Sequence, residues 1–333
     1  MAENGTNDIE RCSNVVVTYY RTVPAEGLHL YTNILMIIIS VLSAFFGSIA
    51  NILVILSYFK NSRLRTKSNI PLLSLGFSDL LVTAVVLPLH ATRMVMESYG
   101  GHNCVLWTFV RLMSYFSAGV SLLVVTFISI ERFITLAYPY RYQNILTRVR
   151  MKVILAVIWC ITFALVVSHI ALIPYKTFLA LAAFLVIICI VMLLSIWTWI
   201  YKLLRNHKRR ITTSQSPSQI GTEAKNQTPR QTYRNTRTTG AIVVGLILCY
   251  LPLVLMLCYY YTESTNFMTM YLLTPWGEMI LLDHSFFHPL YVFWRMSEFR
   301  QTARLLICQL KCCVRDMRDI IGIENSFTNY RGE

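Results

Sequence analysis

The chain is predicted to be all-α, a seven-transmembrane helix bundle with a short amphipathic eighth helix, and three observations predict it. Seven long apolar stretches alternate with basic connectors. A hydrocarbon core about 30 Å thick takes roughly 20 residues of helix. Composition agrees: 55% of residues are hydrophobic and 14% charged, with a mean hydropathy of +0.53, against about a quarter charged in soluble domains. Helices are the expected form because lipid leaves each span to satisfy its own backbone amides.

The spans are expected at approximately Leu30–Tyr58, Ile70–Met94, Val105–Leu136, Val153–Ile173, Phe178–Tyr201, Gly240–Tyr261 and Met268–Trp294. That divides the chain into an extracellular tail (1–29), the seven-span domain (30–295, with a cytoplasmic third loop at about 205–237) and an amphipathic helix with cytoplasmic tail (296–333). Of the 30 Lys and Arg, most cluster in Lys60–Lys67, Arg132–Lys152, Lys202–Arg237 and Arg295–Arg331. The positive-inside bias makes those clusters cytoplasmic and puts the N-terminus outside and the C-terminus inside. The net charge of +14 is therefore read as topology and contact with anionic membrane lipid, not as a nucleic-acid surface. The first 29 residues are polar, without an apolar core and cleavage site, so the first span is expected to translocate the tail itself.

Asn4-Gly5-Thr6 fits a glycosylation acceptor outside the membrane, whereas Asn226-Gln227-Thr228 is read as a chance match. Cys160, Cys189 and Cys249 fall within spans and suit packing. Cys308, Cys312 and Cys313 follow the last span on a basic amphipathic stretch, which suits palmitoylation. Cys12 and Cys104 lie on the outer, oxidising side; a disulfide between them and two buried free thiols are both open.

The third span gives the first functional signal. Steps of three and four from Arg111 pass Ser114, Ala118, Ser121, Val125, Ser129 and Arg132. A stripe that is small or polar at most positions faces protein, since lipid gives no reason for polarity. Arg111 and Arg132 stand about 31 Å apart along a helix, so one helix carries a cation near each surface. Ionisable residues inside the membrane are costly and ask for a reason. Asp79 lies mid-way along the second span, and Glu278, Asp283, His284 and His288 lie along the seventh beside Ser285 and Pro289. Asp79, Ser121, His284, Ser285 and His288 are candidates for a polar core that holds an ion or a proton. His284 and His288, one turn apart, could hold a metal with Asp79 or Asp283; ordinary hydrogen bonding is preferred and no metal is expected. No Gly-rich phosphate loop, H-E-x-x-H helix or outer Ser/His/Asp set is present, so an enzyme is not expected.

Motifs then appear in order along the spans. Gly47-Ser48-Ile49-Ala50-Asn51, Leu75-Gly76-Phe77-Ser78-Asp79-Leu80 with Pro88, Glu131-Arg132-Phe133 with Pro139 and Tyr142, Trp159, Cys249-Tyr250-Leu251-Pro252, and His288-Pro289 before Glu298-Phe299-Arg300 follow one another from residue 47 to residue 300. Together they resemble the rhodopsin-like (class A) G-protein-coupled receptors. The resemblance implies a plasma-membrane, multi-pass receptor that binds an extracellular ligand and activates a heterotrimeric G protein, with arrestin and receptor kinase as further partners. It implies coupling and switch roles for Glu131, Arg132, Tyr142, Tyr250, Pro252, His288 and Pro289, and a sodium ion near Asp79.

Departures are specific. Tyr250 stands where the family has Trp, His288 where it has Asn, and Val292 where the last Tyr belongs, with Tyr291 one place early. The fifth span lacks its proline, and Trp197 takes the place of a Tyr. Little more than Pro174-Tyr175-Lys176 joins the fourth and fifth spans, which resembles the melanocortin, cannabinoid, lysophospholipid and adenosine group. By helical phase and family placement, His90, Arg93, Arg111, Ser114, Tyr115, Leu253, Leu257 and Glu278 line the ligand pocket. The third span offers no inward acid to an amine, and its Arg111 with His90 and Arg93 suits an anionic or lipid-like head group; an internal Arg111–Glu278 pair is the competing reading. Two other classes stay open, a proton-coupled or ion-coupled transporter using Asp79, Asp283 and the histidines, and a ligand-independent partner of other receptors.

Overall fold

The computed structural model describes residues 9–11, 19–21, 24–138, 141–213, 239–255 and 267–309. Before the first span, β1 (Ile9–Arg11) and β2 (Tyr19–Arg21) pair antiparallel with Glu10 opposite Tyr20. This hairpin is an addition to the all-α expectation. Everything else in the described residues is helix and short connection: α1 (Gly27–Lys60), α2 (Ile70–Leu81) continued through a π segment (Val82–Val86) into α3 (Leu87–Ser98), α4 (Cys104–Ala137), α5 (Tyr142–Ile145), α6 (Arg148–Ala171), α7 (Tyr175–Thr213), α8 (Thr239–Leu255), α9 (Phe267–Arg295) and α10 (297–309).

Among the described residues five helices are long and apolar enough to cross a membrane, and α8 is a shorter apolar one. The seventh span, α9, carries Glu278, Asp283, His284 and His288, and that polarity keeps it out of a count by apolarity alone. The second and third spans are mostly buried, whereas the first, fourth and fifth turn most of their surface outward. In α1 the inward residues Met36, Ser40, Ala44, Gly47, Asn51 and Val54 recur every three or four positions, and Val41, Phe45 and Phe46 face out. One apolar stripe per helix is what a surface helix of a bundle requires.

α4 sits at the centre, packed on α2, α6, α7 and α9. The largest core lies toward its Arg132 end, where Leu75, Val124, Ile128, Leu246, Tyr250 and Phe299 are buried together. Toward the Arg111 end, smaller clusters form around Val86, Val110 and Leu282 and around Met36, Met94 and Met279.

Two departures from regular helix shape the interior. Pro88 has no N–H to give back toward residue 84, and its ring crowds that carbonyl; the chain widens into the π segment just before it, a common solution near functional residues. Thr83 within that segment donates to the Asp79 carbonyl at 2.9 Å. In α9, Pro289 removes the donor that the Ser285 carbonyl would otherwise meet. Asn51 supplies it from α1: its Nδ2 donates to the Ser285 carbonyl at 3.1 Å and to the Gly47 carbonyl at 3.0 Å.

Element ends differ most from expectation at the fifth span, while the second runs four residues past its expected end to Ser98 and the fourth starts five early at Arg148. The fifth span starts at Tyr175 and runs to Thr213, not Tyr201, because no Gly or Pro interrupts residues 175–213 and Lys and Arg are good helix formers. The first part of the loop expected at 205–237 is thus helix. Only Leu172, Ile173 and Pro174 separate α6 from α7, and His169 stacks on Phe178 at 4.2 Å across that joint.

Gly47 tests how tightly the first, second and seventh spans are packed. A Cβ there would lie 2.7 Å from Thr83 Cγ2 and 3.6 Å from the Phe286 Cα. Gly47→Ala is therefore expected to cost about 1–3 kcal/mol by overpacking, read as a lower thermal midpoint of the purified protein. Adding Thr83→Ser, which removes the clashing methyl, should recover most of the loss.

Candidate functional site

Three polar layers run along the interior. At one end Glu131 and Arg132 are both buried, 0% and 3% exposed, so neither is a solvated charge. Arg132 Nε lies 3.4 Å from Glu131 Oε2 and donates to Thr239 Oγ1 at 3.3 Å on α8. Its Nη1 donates to Ser68 Oγ at 2.7 Å and its Nη2 to the Ser68 carbonyl at 3.4 Å. Glu131 Oε1 accepts from Ser68 Oγ at 2.7 Å and from the Tyr142 hydroxyl at 2.6 Å. Burial first, and then the Glu131 charge, push the Tyr142 hydroxyl up to about 12, so the phenol keeps its proton and remains the donor. The result is a chain of contacts joining the second, third and sixth spans and the short α5. In this packing Arg132 is closed off.

The middle layer gathers Asp79, His284 and His288, all 1–2% exposed. His288 Nδ1 lies 3.0 Å from Asp79 Oδ2, and His284 Nε2 lies 4.0 Å from Asp79 Oδ1. The two imidazoles meet edge to face at 5.0 Å. Ser285 Oγ is 3.5 Å from His284 Nε2, and His284 Nδ1 meets the Leu281 carbonyl. Ser121 does not join Asp79; its hydroxyl pairs with Ser78 at 3.3 Å. A sodium ion would want oxygen donors. Here two of the three groups are imidazoles, a poor match to a hard alkali cation. Tyr250 stands beside this layer, its ring 6.2 Å from His284 and its hydroxyl donating to the Ala118 carbonyl at 2.6 Å. That bond ties the sixth span to the third and could not be read from sequence.

At the far end two guanidiniums converge on one carboxylate. Arg93 Nη2 is 3.1 Å from Glu278 Oε2, and Arg111 Nε is 2.5 Å from Glu278 Oε1. Arg93 also lies over the Trp107 ring at 5.1 Å, and its Nε and Nη1 are buried without hydrogen-bond partners. His90 meets Ser40 Oγ at 3.3 Å through Nδ1. The internal Arg111–Glu278 pair is thus present, and Arg93 shares the same carboxylate.

Other expected residues are placed less tellingly. Ser114 turns its hydroxyl back to the Val110 carbonyl at 2.7 Å; Tyr115 packs on Phe178 at 5.3 Å; Leu253 is half-buried against the main core. Pro252 and Pro289 lie within α8 and α9. Cys104 is disulfide-bonded, while Cys160, Cys189, Cys249 and Cys308 are free thiols, Cys308 exposed near the end of α10. Asn4, Cys12, Leu257, Cys312 and Cys313 lie outside the described residues. Sequence reasoning missed Ser68, which joins both charges of the Glu131-Arg132 pair, and Thr239. Both are single hydroxyl residues, a weak signal on its own.

Comparison with known proteins agrees with this architecture. The model of the 7 transmembrane receptor (rhodopsin family) matches residues 50–178. The alpha-1A adrenergic receptor of Oryzias latipes is 30% identical over 159 residues, 47% of this chain and 32% of that receptor. The QRFP-like peptide receptor of Branchiostoma floridae is 32% identical over 116 residues, 34% of this chain and 30% of that one. The adenosine receptor A2a of Canis lupus familiaris is 24% identical over 294 residues, 78% of this chain and 68% of the receptor. The match to the first two spans about a third of their lengths, while the third follows this chain through most of its length. The motifs in register and the helices in order agree with these matches: the chain is similar to the rhodopsin-like seven-transmembrane receptors, over residues 50–178 for the family model and over most of its length for the adenosine receptor.

Proposed function

We propose that this protein is a plasma-membrane receptor that binds an extracellular ligand bearing an anionic group and activates a heterotrimeric G protein, with its N-terminus outside and its C-terminus inside. The observation that carries the reading is the buried Arg132, held by Ser68, Thr239 and Glu131 at the end of the bundle nearest the basic connectors. Buried arginine paired to hydroxyls across three spans has little structural economy in a bilayer. It gains a purpose if the sixth span moves away and presents Arg132 to a partner. A ligand drives that change only as far as it favours the open packing over the closed one.

The Arg93, Arg111 and Glu278 cluster supplies such a preference. Two guanidiniums converge on one carboxylate there, and a ligand carboxylate or phosphate arriving beside them gains charge-assisted hydrogen bonds. Its arrival redistributes the contacts that hold the third span to the second and seventh. Residues 1–29 serve as the outer tail with Asn4 as glycosylation acceptor, and 296–333 as the inner tail, where the exposed Cys308 suits palmitoylation beside the membrane surface. Arrestin and a receptor kinase fit the same inner face.

Three measurements test this. Guanine-nucleotide exchange in reconstituted membranes should be abolished by Arg132→Ala while surface expression persists; unchanged exchange in the variant removes the coupling role. Thr239→Val deletes one hydrogen bond to a charged group, worth about 1.5–3 kcal/mol, and should raise ligand-free exchange several-fold. Arg111→Gln should weaken an anionic agonist by about 1–3 kcal/mol, a shift in half-maximal concentration of roughly five-fold to 150-fold. Equal potency in that variant returns Arg111 to holding helices together.

A further inference from the structure

Asp79, His284 and His288 each offer a ligand atom, and the three atoms lie within 4.8 Å of one another, wholly buried between the second and seventh spans. Two polar atoms of the cluster, Asp79 Oδ1 and His288 Nε2, have no hydrogen-bond partner. Buried polar atoms left in that state are costly. The resemblance implies sodium at this depth, but the donors are two imidazole nitrogens and one carboxylate oxygen. Nitrogen donors of that softness suit Zn²⁺, Co²⁺ or Ni²⁺, and His₂-carboxylate with one open position is an established zinc donor set.

We propose that Asp79, His284 and His288 form a binding site for a divalent transition-metal ion of the zinc class, where the family resemblance would place sodium. Tetrahedral zinc, with bonds of about 2.0–2.2 Å, holds its ligand atoms roughly 3.3 Å apart. The cluster closes to that spacing by side-chain rotation, because His284 and His288 sit one turn apart on α9 and Asp79 faces them from α2. The fourth position falls to water or to the Ser285 hydroxyl, which is already 3.5 Å from His284 Nε2. One carboxylate and two neutral imidazoles leave a bound divalent ion with one net positive charge, and Tyr250, packed on His284, bars approach from the sixth-span side. Metal here staples the second span to the seventh. That holds whatever ligand or G protein the receptor uses.

The test uses the full chain, purified in detergent and stripped with chelator, with Zn²⁺ alone and Co²⁺ alone as probes. One Zn²⁺ per chain should bind and raise the thermal midpoint, since an ion that binds the folded state stabilises it by mass action, and a large excess of Na⁺ should leave it bound. His288→Asn and His284→Gln should each weaken zinc binding by about tenfold or more and abolish the rise in midpoint. Co²⁺ should show the visible absorption of a four-coordinate nitrogen and oxygen site in the unaltered protein. No zinc binding, or equal binding and stabilisation in both variants, overturns the proposal. Should either variant fail to fold, the cobalt spectrum decides: strong sulfur-to-cobalt bands would place the ion on cysteines and overturn it equally.

Discussion

The carbonyl of Ser285 has no donor of its own helix, because Pro289 stands where that N–H would be, and Asn51 provides one from another span. In a membrane no water stands ready to take such a carbonyl, so one side chain decides whether α9 can bend there at all. The rest of the interior is arranged around this bond. It holds α1 against α9 beside Gly47, where an added Cβ would meet Phe286 Cα at an ordinary 3.6 Å but the Thr83 methyl of the second span at 2.7 Å. The π segment that contains Thr83 in turn sets the faces on which the residues after it, His90 and Arg93, lie relative to Asp79 before it.

Much of this was legible in the chain, and the reasons are physical. Span positions are dictated by the length of apolar helix that a bilayer requires, so α1, α4 and α9 fall within a few residues of expectation. Ionisable residues within spans are costly enough to advertise themselves, which is why Asp79, Arg111, Arg132 and Glu278 all prove to be paired. Hydroxyls advertise nothing. Ser121 bonds Ser78 instead of Asp79, and Ser68 holds both members of the Glu131-Arg132 pair, because a serine's partner depends on rotamer and neighbour more than on sequence. The π segment was hidden for a similar reason: Pro88 permits a kink or a widening, and the packing of Gly47 on Thr83 chooses between them. α7 outran its expected end because apolarity stops at the membrane surface, whereas helix does not.

Aromatic residues that depart from the family pattern make their own contacts between helices here. Tyr250 is smaller than the tryptophan it replaces but reaches the Ala118 carbonyl. Trp197 donates to Ser129 at 3.2 Å and lies on Gly240, whose missing side chain makes room for the ring. Tyr291 likewise covers Gly245 on the sixth span. Each aromatic ring crosses between helices and finds either a hydroxyl, a carbonyl or a glycine. The altered residues therefore keep the sixth span docked through different contacts.

A serine hydroxyl carries a single proton, and at Ser68 that proton is given to Glu131 while the lone pairs face Arg132. Ser68 Oγ thus bridges the two charges, beside the direct 3.4 Å approach of Arg132 Nε to Glu131 Oε2. Rotating Ser68 to serve either partner differently breaks the contact to the other, and Tyr142, already spending its only proton on Glu131, has none left to substitute. The sixth span enters this network at Thr239, so a displacement of that span would part Arg132 from Thr239 and leave Ser68 still joining Arg132 to Glu131.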